Sequence, residues 1–161
     1  MPYHIRVRAC ALIIEHDAVL LIEFKDENGT HYNLPAGGAE PGESVTEAVM
    51  REAKEEASVD IEVGPIALVY EYAPHFNRGE YGDTHSLSLM FDCRIKDGSR
   101  PRMPERPDEN QCGVKWVPLR QLHEIVLYPN IASQIVAYAA NRSRTLELIE
   151  EHRLDRIRSL G

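Results

Sequence analysis

The order of apolar segments predicts an α+β or α/β sandwich, a mixed β-sheet held between helices. Three observations carry that expectation. Two β-branched runs near the start read as a hairpin, a long segment of helix formers comes early, and further strands precede a helical C-terminal part. Mixed strands around one early helix do not form a regular βαβ array.

Residues 5–14 (IRVRACALII) read as the first strand, passing from alternating to wholly apolar as a strand entering a core does. Glu15-His16-Asp17 is a polar turn, and residues 18–24 (AVLLIEF) return as the second strand. Residues 25–29 turn, residues 32–34 suggest a short strand, and Pro35-Ala36-Gly37-Gly38 stops it. A helix is expected over 45–57: Ser44 is a good N-cap, Glu47 completes a capping box, and no Gly or Pro intervenes. Residues 61–72 read as strand with a kink at Gly64-Pro65, then 86–95 and a short 114–117. Helices are expected over 118–127, 130–141 and 144–160, the last carrying Leu146, Ile149, Leu154, Ile157 and Leu160 at helical spacing. That added helix, about 143–160, packs on its own domain or serves a homodimer contact.

A length of 161 residues suits one domain large enough to bury a core without metal or disulfide. Lys plus Arg count 18 against 26 Asp plus Glu, a net charge of −8. A protein that grips nucleic acid along a long basic groove is therefore not expected. An anionic ligand stays open, since a bound cation inverts the local charge. Three scattered cysteines without CxxC, and no secretory signal pattern at the start, suggest a reduced, cytoplasmic chain. The longest apolar runs fall far short of the ~20 residues that span a bilayer.

The chemistry concentrates in residues 37–59 (GGAEPGESVTEAVMREAKEEASV). On a helix, Glu52, Glu55 and Glu56 sit at i, i+3 and i+4, inside an arc of roughly 100°. Like charges at that spacing repel by a few tenths of a kcal/mol per pair. Val49, Met50, Ala53 and Ala57 fill the adjacent arc, so the acidic stripe borders the buried face. Converging carboxylates there call for a cation, and all-oxygen ligands suit Mg²⁺ or Mn²⁺. The Gly37-x4-Gly42 spacing approaches a P-loop, but Glu43 stands where the phosphate-binding lysine belongs, which excludes one.

Gly37-x5-Glu43-x7-Arg51-Glu52-Ala53-Lys54-Glu55-Glu56-Ala57-Ser58-Val59 resembles the Nudix box, and Leu34-Pro35-Ala36-Gly37-Gly38 resembles the usual approach to it. The resemblance implies a single Nudix domain over 1–161 with the Nudix α/β/α fold. It implies metal-dependent hydrolysis of a diphosphate in a nucleoside diphosphate derivative. Glu52, Glu55 and Glu56 would hold Mg²⁺ or Mn²⁺ with help from the Gly37 or Ala36 carbonyl, while Glu43 and Arg51 brace the loop. For the general base the family pattern offers Glu52 or an acid of a later loop, which Glu109 resembles, with Asp108 its competitor. One departure stands out: Ser58 occupies the place of the usual Gly, a left-handed helix cap that costs Ser about 1 kcal/mol.

Substrate contacts are less specified. Tyr32, Tyr70, Tyr72, Phe76 and Tyr81 offer stacking faces for a base, and Arg78 a partner for phosphate or ribose; of these Tyr32, Tyr72, Phe76 and Arg78 are the expected contacts. Two other functions fit the same box. An RNA 5′-end pyrophosphohydrolase needs a basic groove, which the pI of 5.4 disfavours. A non-catalytic metabolite-binding module is free to lose its metal glutamates, and this chain keeps all three.

Overall fold

The computed structural model describes residues 4–156. The elements are β1 (Arg6–Glu15), β2 (Ala18–Asp26), β3 (Gly29–Asn33), β4 (Ala36–Gly38), α1 (Val45–Ala57), β5 (Ile61–Tyr72), β6 (Ser86–Ile95), β7 (Gln111–Pro118), α2 (Ala132–Ala140) and β8 (Leu148–Glu150). The strands form one mixed sheet in the order β3-β2-β1-β6-β5-β8, with β4 added to β1 and β7 to β2. β1 runs parallel to β6 and antiparallel to β4, and meets β2 only at Ile14–Val19 and Glu15–Ala18. The sheet therefore opens into two wings from that hairpin.

β1 shows why its sequence turns wholly apolar. Successive side chains of a strand face opposite sides. Ala9, Ala11 and Ile13 join Val49, Ala53 and Ala57 of α1 in one core, while Cys10 and Leu12 join Ile135 and Tyr138 of α2 in the other. Helices cover both faces, as the sandwich expectation requires. The turn into β2 has positive φ at His16 and Asp17, the two-residue geometry that matches the twist of a hairpin.

α1 begins as expected. The Ser44 hydroxyl accepts from the Glu47 N–H at 3.0 Å, and Glu47 returns the bond to the Ser44 N–H at 3.2 Å. It ends at Ser58 with φ 59°, the left-handed cap that the box normally gives to Gly. The kink in β5 is also present: pairing with β6 shifts register between Val63 and Ile66, and a Cβ on Gly64 would meet the Asp92 carbonyl oxygen at 2.4 Å.

Four expectations change. Pro35-Ala36-Gly37-Gly38 does not simply stop β3; its last three residues form β4, because the apolar edge of β1 is free to pair. The segment expected as helix over 118–127 makes only a 3₁₀ turn at Leu119–Glu124. The strand expected at 114–117 extends over Gln111–Pro118. The helix expected over 143–160 is absent as far as the description reaches. Instead Leu148–Glu150 pair in parallel with Val69–Glu71, and a 3₁₀ turn follows at Glu151–Arg153. Edge pairing with β5, burial of Ile149 and a Tyr70–Glu151 hydrogen bond outweigh helical periodicity. Residues 157–160 of that expectation lie outside the described residues. Among the described residues no helix is long and apolar enough to cross a membrane.

Candidate active site

Strand β4 is the lip of the site, and its two glycines face opposite ways. A Cβ on Gly37 would stand 2.0 Å from Glu52 Oε1, whereas one on Gly38 would stand 2.4 Å from Arg6 Nε. Gly37 thus opens toward α1 and its carboxylates, Gly38 toward a cleft on the opposite face. No side chain fits at either position without displacing a charged group.

Arg51 ties this lip to the helix. Its Nε and Nη2 grip both Glu43 oxygens at 2.7 and 3.0 Å, a bidentate fork, and Nη2 also donates to the Gly38 carbonyl at 3.1 Å. Its Nη1 reaches Glu52 Oε1 at 2.7 Å and Glu55 Oε2 at 3.2 Å. The guanidinium holds the Glu43 carboxyl below its usual range. Arg51 thus contacts Glu43, the lip and two α1 carboxylates at once.

Glu56 is the most constrained acid. It is 6% exposed, and its Oε1 accepts from the Ala36 N–H at 2.6 Å. Burial pushes its pKa up to about 8, against the lowering effect of that N–H, and Asp108 beside it adds to the rise. Glu52 is also raised, by burial first. Glu55 is exposed and lies at the outer end of the stripe.

The two loop acids are placed differently. Asp108, the competitor, is the residue whose carboxyl faces Glu56 and acts on Glu52. Both loop acids are solvent-exposed, and Glu109 makes no side-chain hydrogen bond or ion pair among the described residues. The cause is Gln111, buried at the start of β7. Its Nε2 donates to the Glu56 carbonyl at 2.8 Å, and its Oε1 accepts from the Asp108 N–H at 3.2 Å. The Arg102 N–H donates to the Ala57 carbonyl at 2.9 Å, a second tether of this loop to the end of α1. Gln111 escaped the sequence reading because a lone Gln in a loop carries no pattern.

Among the described residues, no three acidic, histidine or cysteine side chains close around one point. The charge of Glu52 and Glu55 is answered by Arg51, while Glu56 is held apart by Ala36. The donor set nevertheless fits a small hard cation. It is all oxygen, Glu52 occupies the room that Gly37 leaves, and buried Glu56 beside Asp108 demands either a proton or a positive partner.

Across the lip lies a cleft of about 250 Å³, its walls including Arg6, Arg8, Asn33, Tyr70, Tyr72 and Glu151. Tyr81 and Tyr128 also line it, ring centroids 6.1 Å apart. Of the expected substrate contacts, only Tyr72 lines this cleft, its hydroxyl spent on the Gly82 carbonyl at 2.7 Å. Phe76 and Arg78 line an adjoining hollow that shares Tyr81 and Glu151. Tyr32 lines neither; its hydroxyl donates to Glu23 at 2.6 Å. The sequence did contain a signal for the missed arginines: Arg6 and Arg8 stand at i and i+2 on a strand, hence on one face.

A central strand that splits two cores, a glycine lip and an arginine-braced acidic helix together define the fold and its site, and comparison with known proteins places the fold. The NUDIX domain model matches residues 2–138, and the chain belongs to that family. It is 40% identical over 83 residues to the human 8-oxo-dGDP phosphatase NUDT18, covering 48% of this chain and 26% of that protein. It is 31% identical over 101 residues to the Escherichia coli nucleoside triphosphatase NudI, covering 55% of this chain and 67% of that one. A NUDIX hydrolase from Nitrosomonas europaea has the same fold, with a TM-score of 0.69 at 22% identity over 88% of this chain and 92% of that one. The chain thus spans about a quarter of the length of the human relative.

Proposed function

We propose that this protein hydrolyses a diphosphate linkage in a nucleoside diphosphate derivative, using Mg²⁺ or Mn²⁺ held by Glu52, Glu55, Glu56 and the Gly37 carbonyl. One observation carries the reading: Glu52 and buried Glu56 of α1 and a cleft lined by Arg6 and Arg8 lie on the two sides of a single glycine lip. An anionic substrate would be repelled by the carboxylates alone and attracted by the arginines alone; the juxtaposition suits a phosphate chain laid across both. The cation, when bound, neutralises substrate oxygens, polarises phosphorus and lowers the pKa of a water.

The chain's own groups do the rest. Arg51 and Glu43 position the lip against α1, so that Glu52 and Glu56 keep their orientation through turnover. The Asp108 carboxyl beside Glu56 places a second acid where it can take a proton from water. Arg6 and Arg8 draw phosphate oxygens toward the cleft. The names of the relatives, an 8-oxo-dGDP phosphatase and a nucleoside triphosphatase, support a nucleotide as substrate.

The test is turnover of a panel of nucleoside di- and triphosphates, ADP-ribose, nucleotide sugars and triphosphorylated RNA, with and without Mg²⁺. Hydrolysis of a small nucleotide that vanishes without Mg²⁺ is the expected result. Cleavage of RNA alone would move the assignment to 5′-end processing. Tight binding of one compound with no turnover of any would make the protein a metabolite-binding module.

A further inference from the structure

The cleft is polar at both ends, with opposite signs. Registered rows of side chains cross its floor. Gly38 pairs with Arg8, Arg8 with Ser88, Ser88 with Tyr70 and Tyr70 with Ile149. Four strand spacings of about 4.8 Å put roughly 19 Å between the lip and the far edge. The near end carries Arg6 and Arg8, across the glycine lip from the α1 carboxylates. The far end carries Glu151, the residue that follows β8 directly.

Glu151 is an unusual residue to find there. It is only 7% exposed, yet it lines the cleft wall. Its Oε2 accepts from the Tyr70 hydroxyl at 2.9 Å, and no Lys, Arg or His pairs with it among the described residues. A buried carboxylate with one neutral donor retains acceptor capacity that is costly to leave unused. A second acceptor lines the same cleft: Asn33 Oδ1 is buried and has no hydrogen-bond partner. Tyr81 and Tyr128 flank these groups with aromatic surface. Residues 148–153, which carry this wall, lie beyond the 2–138 match to the family.

We infer that Glu151 selects the base of the substrate, favouring a purine whose edge presents adjacent N–H donors, as guanine does with its ring N1–H and exocyclic amine. Adenine presents an acceptor at the same ring nitrogen, which a carboxylate repels. Length and charge agree with the choice. A nucleotide with its phosphates at Arg6 and Arg8 extends its base toward the far edge, where the acceptors lie. The inference rests on the cleft being the nucleotide site proposed above.

Binding of GMP, IMP and AMP, which contain no diphosphate to cleave, tests it by calorimetry on the wild-type protein and Glu151→Gln. The wild type is expected to bind GMP about 10-fold more tightly than AMP, with IMP between, since one missed pairing at a buried acceptor costs about that factor. Glu151→Gln, which keeps an oxygen for Tyr70 but turns the second acceptor into a donor, should bring GMP and AMP close to equal affinity. Equal affinities in the wild type, or a preference unchanged in Glu151→Gln, would overturn the inference. If the variant does not fold, the wild-type comparison decides alone. A base preference in binding without turnover of any nucleotide would instead remove the hydrolytic reading and leave this one standing.

Discussion

Glu56 occupies an environment that a lone carboxylate does not tolerate: buried, facing Asp108, with a single N–H to lean on. The triad it belongs to was legible in the sequence because three glutamates on one helical arc, next to alanines, cost energy unless something positive answers them. Loop chemistry was not legible in the same way. Asp108 and Glu109 are adjacent acids, and the Gln111 clamp, a contact spanning 55 residues to the Glu56 carbonyl, holds the loop so that Asp108 faces Glu56. The functional consequence is specific. Asp108→Asn is expected to lower kcat by about 100-fold, the usual worth of a positioned acid or base. Glu109→Gln is expected to leave kcat near wild type. Steady-state kinetics on the best nucleotide of the panel checks both, and the reverse order would return the role to Glu109.

Elements with a local signal came through the sequence with little change; those decided by a distant partner did not. α1 is specified within its own residues by the capping box and an uninterrupted run of helix formers, and it forms where expected. Its end carries one local conflict, since Ser58 holds φ 59° where a glycine would be unstrained. Ser58→Gly should therefore stabilise the protein by about 1 kcal/mol, measured by urea unfolding. A loss of stability would mean that the Ser side chain contributes more than the backbone strain costs. The C-terminal segment is the opposite case. Its leucines and isoleucines repeat at helical spacing, but β5 leaves an open edge and Tyr70 an open hydroxyl, and those are satisfied only by a strand and a buried Glu151. Nothing inside residues 143–156 announces either partner.

At the scale of the whole molecule, the surplus of acid separates into a solvated majority and a few carboxyls withdrawn from solvent, buried Glu56 and Glu151 and part-buried Glu52, all with pKa values raised by burial first. The sign of the consequence follows from linkage. A carboxyl that binds its proton more tightly in the folded state supports folding fully below its unfolded pKa and loses that support as pH rises through the folded value. For Glu56 the window runs from the ordinary carboxylate range up to about 8. In chelator, the melting temperature should fall as pH is raised across that window, and Glu56→Gln should flatten the fall. A melting temperature independent of pH would contradict the buried-acid picture. The two-core sandwich itself was readable from β1, whose apolar run requires cover on both faces, whereas the cleft was not, because its walls come from six separate segments. Most direct of all is the Mg²⁺ dependence of kcat for the wild type and Glu56→Gln side by side. The account predicts wild-type hydrolysis that requires Mg²⁺, and a folded Glu56→Gln protein slowed at least roughly 100-fold at saturating Mg²⁺. Wild-type-like turnover by that variant would contradict it.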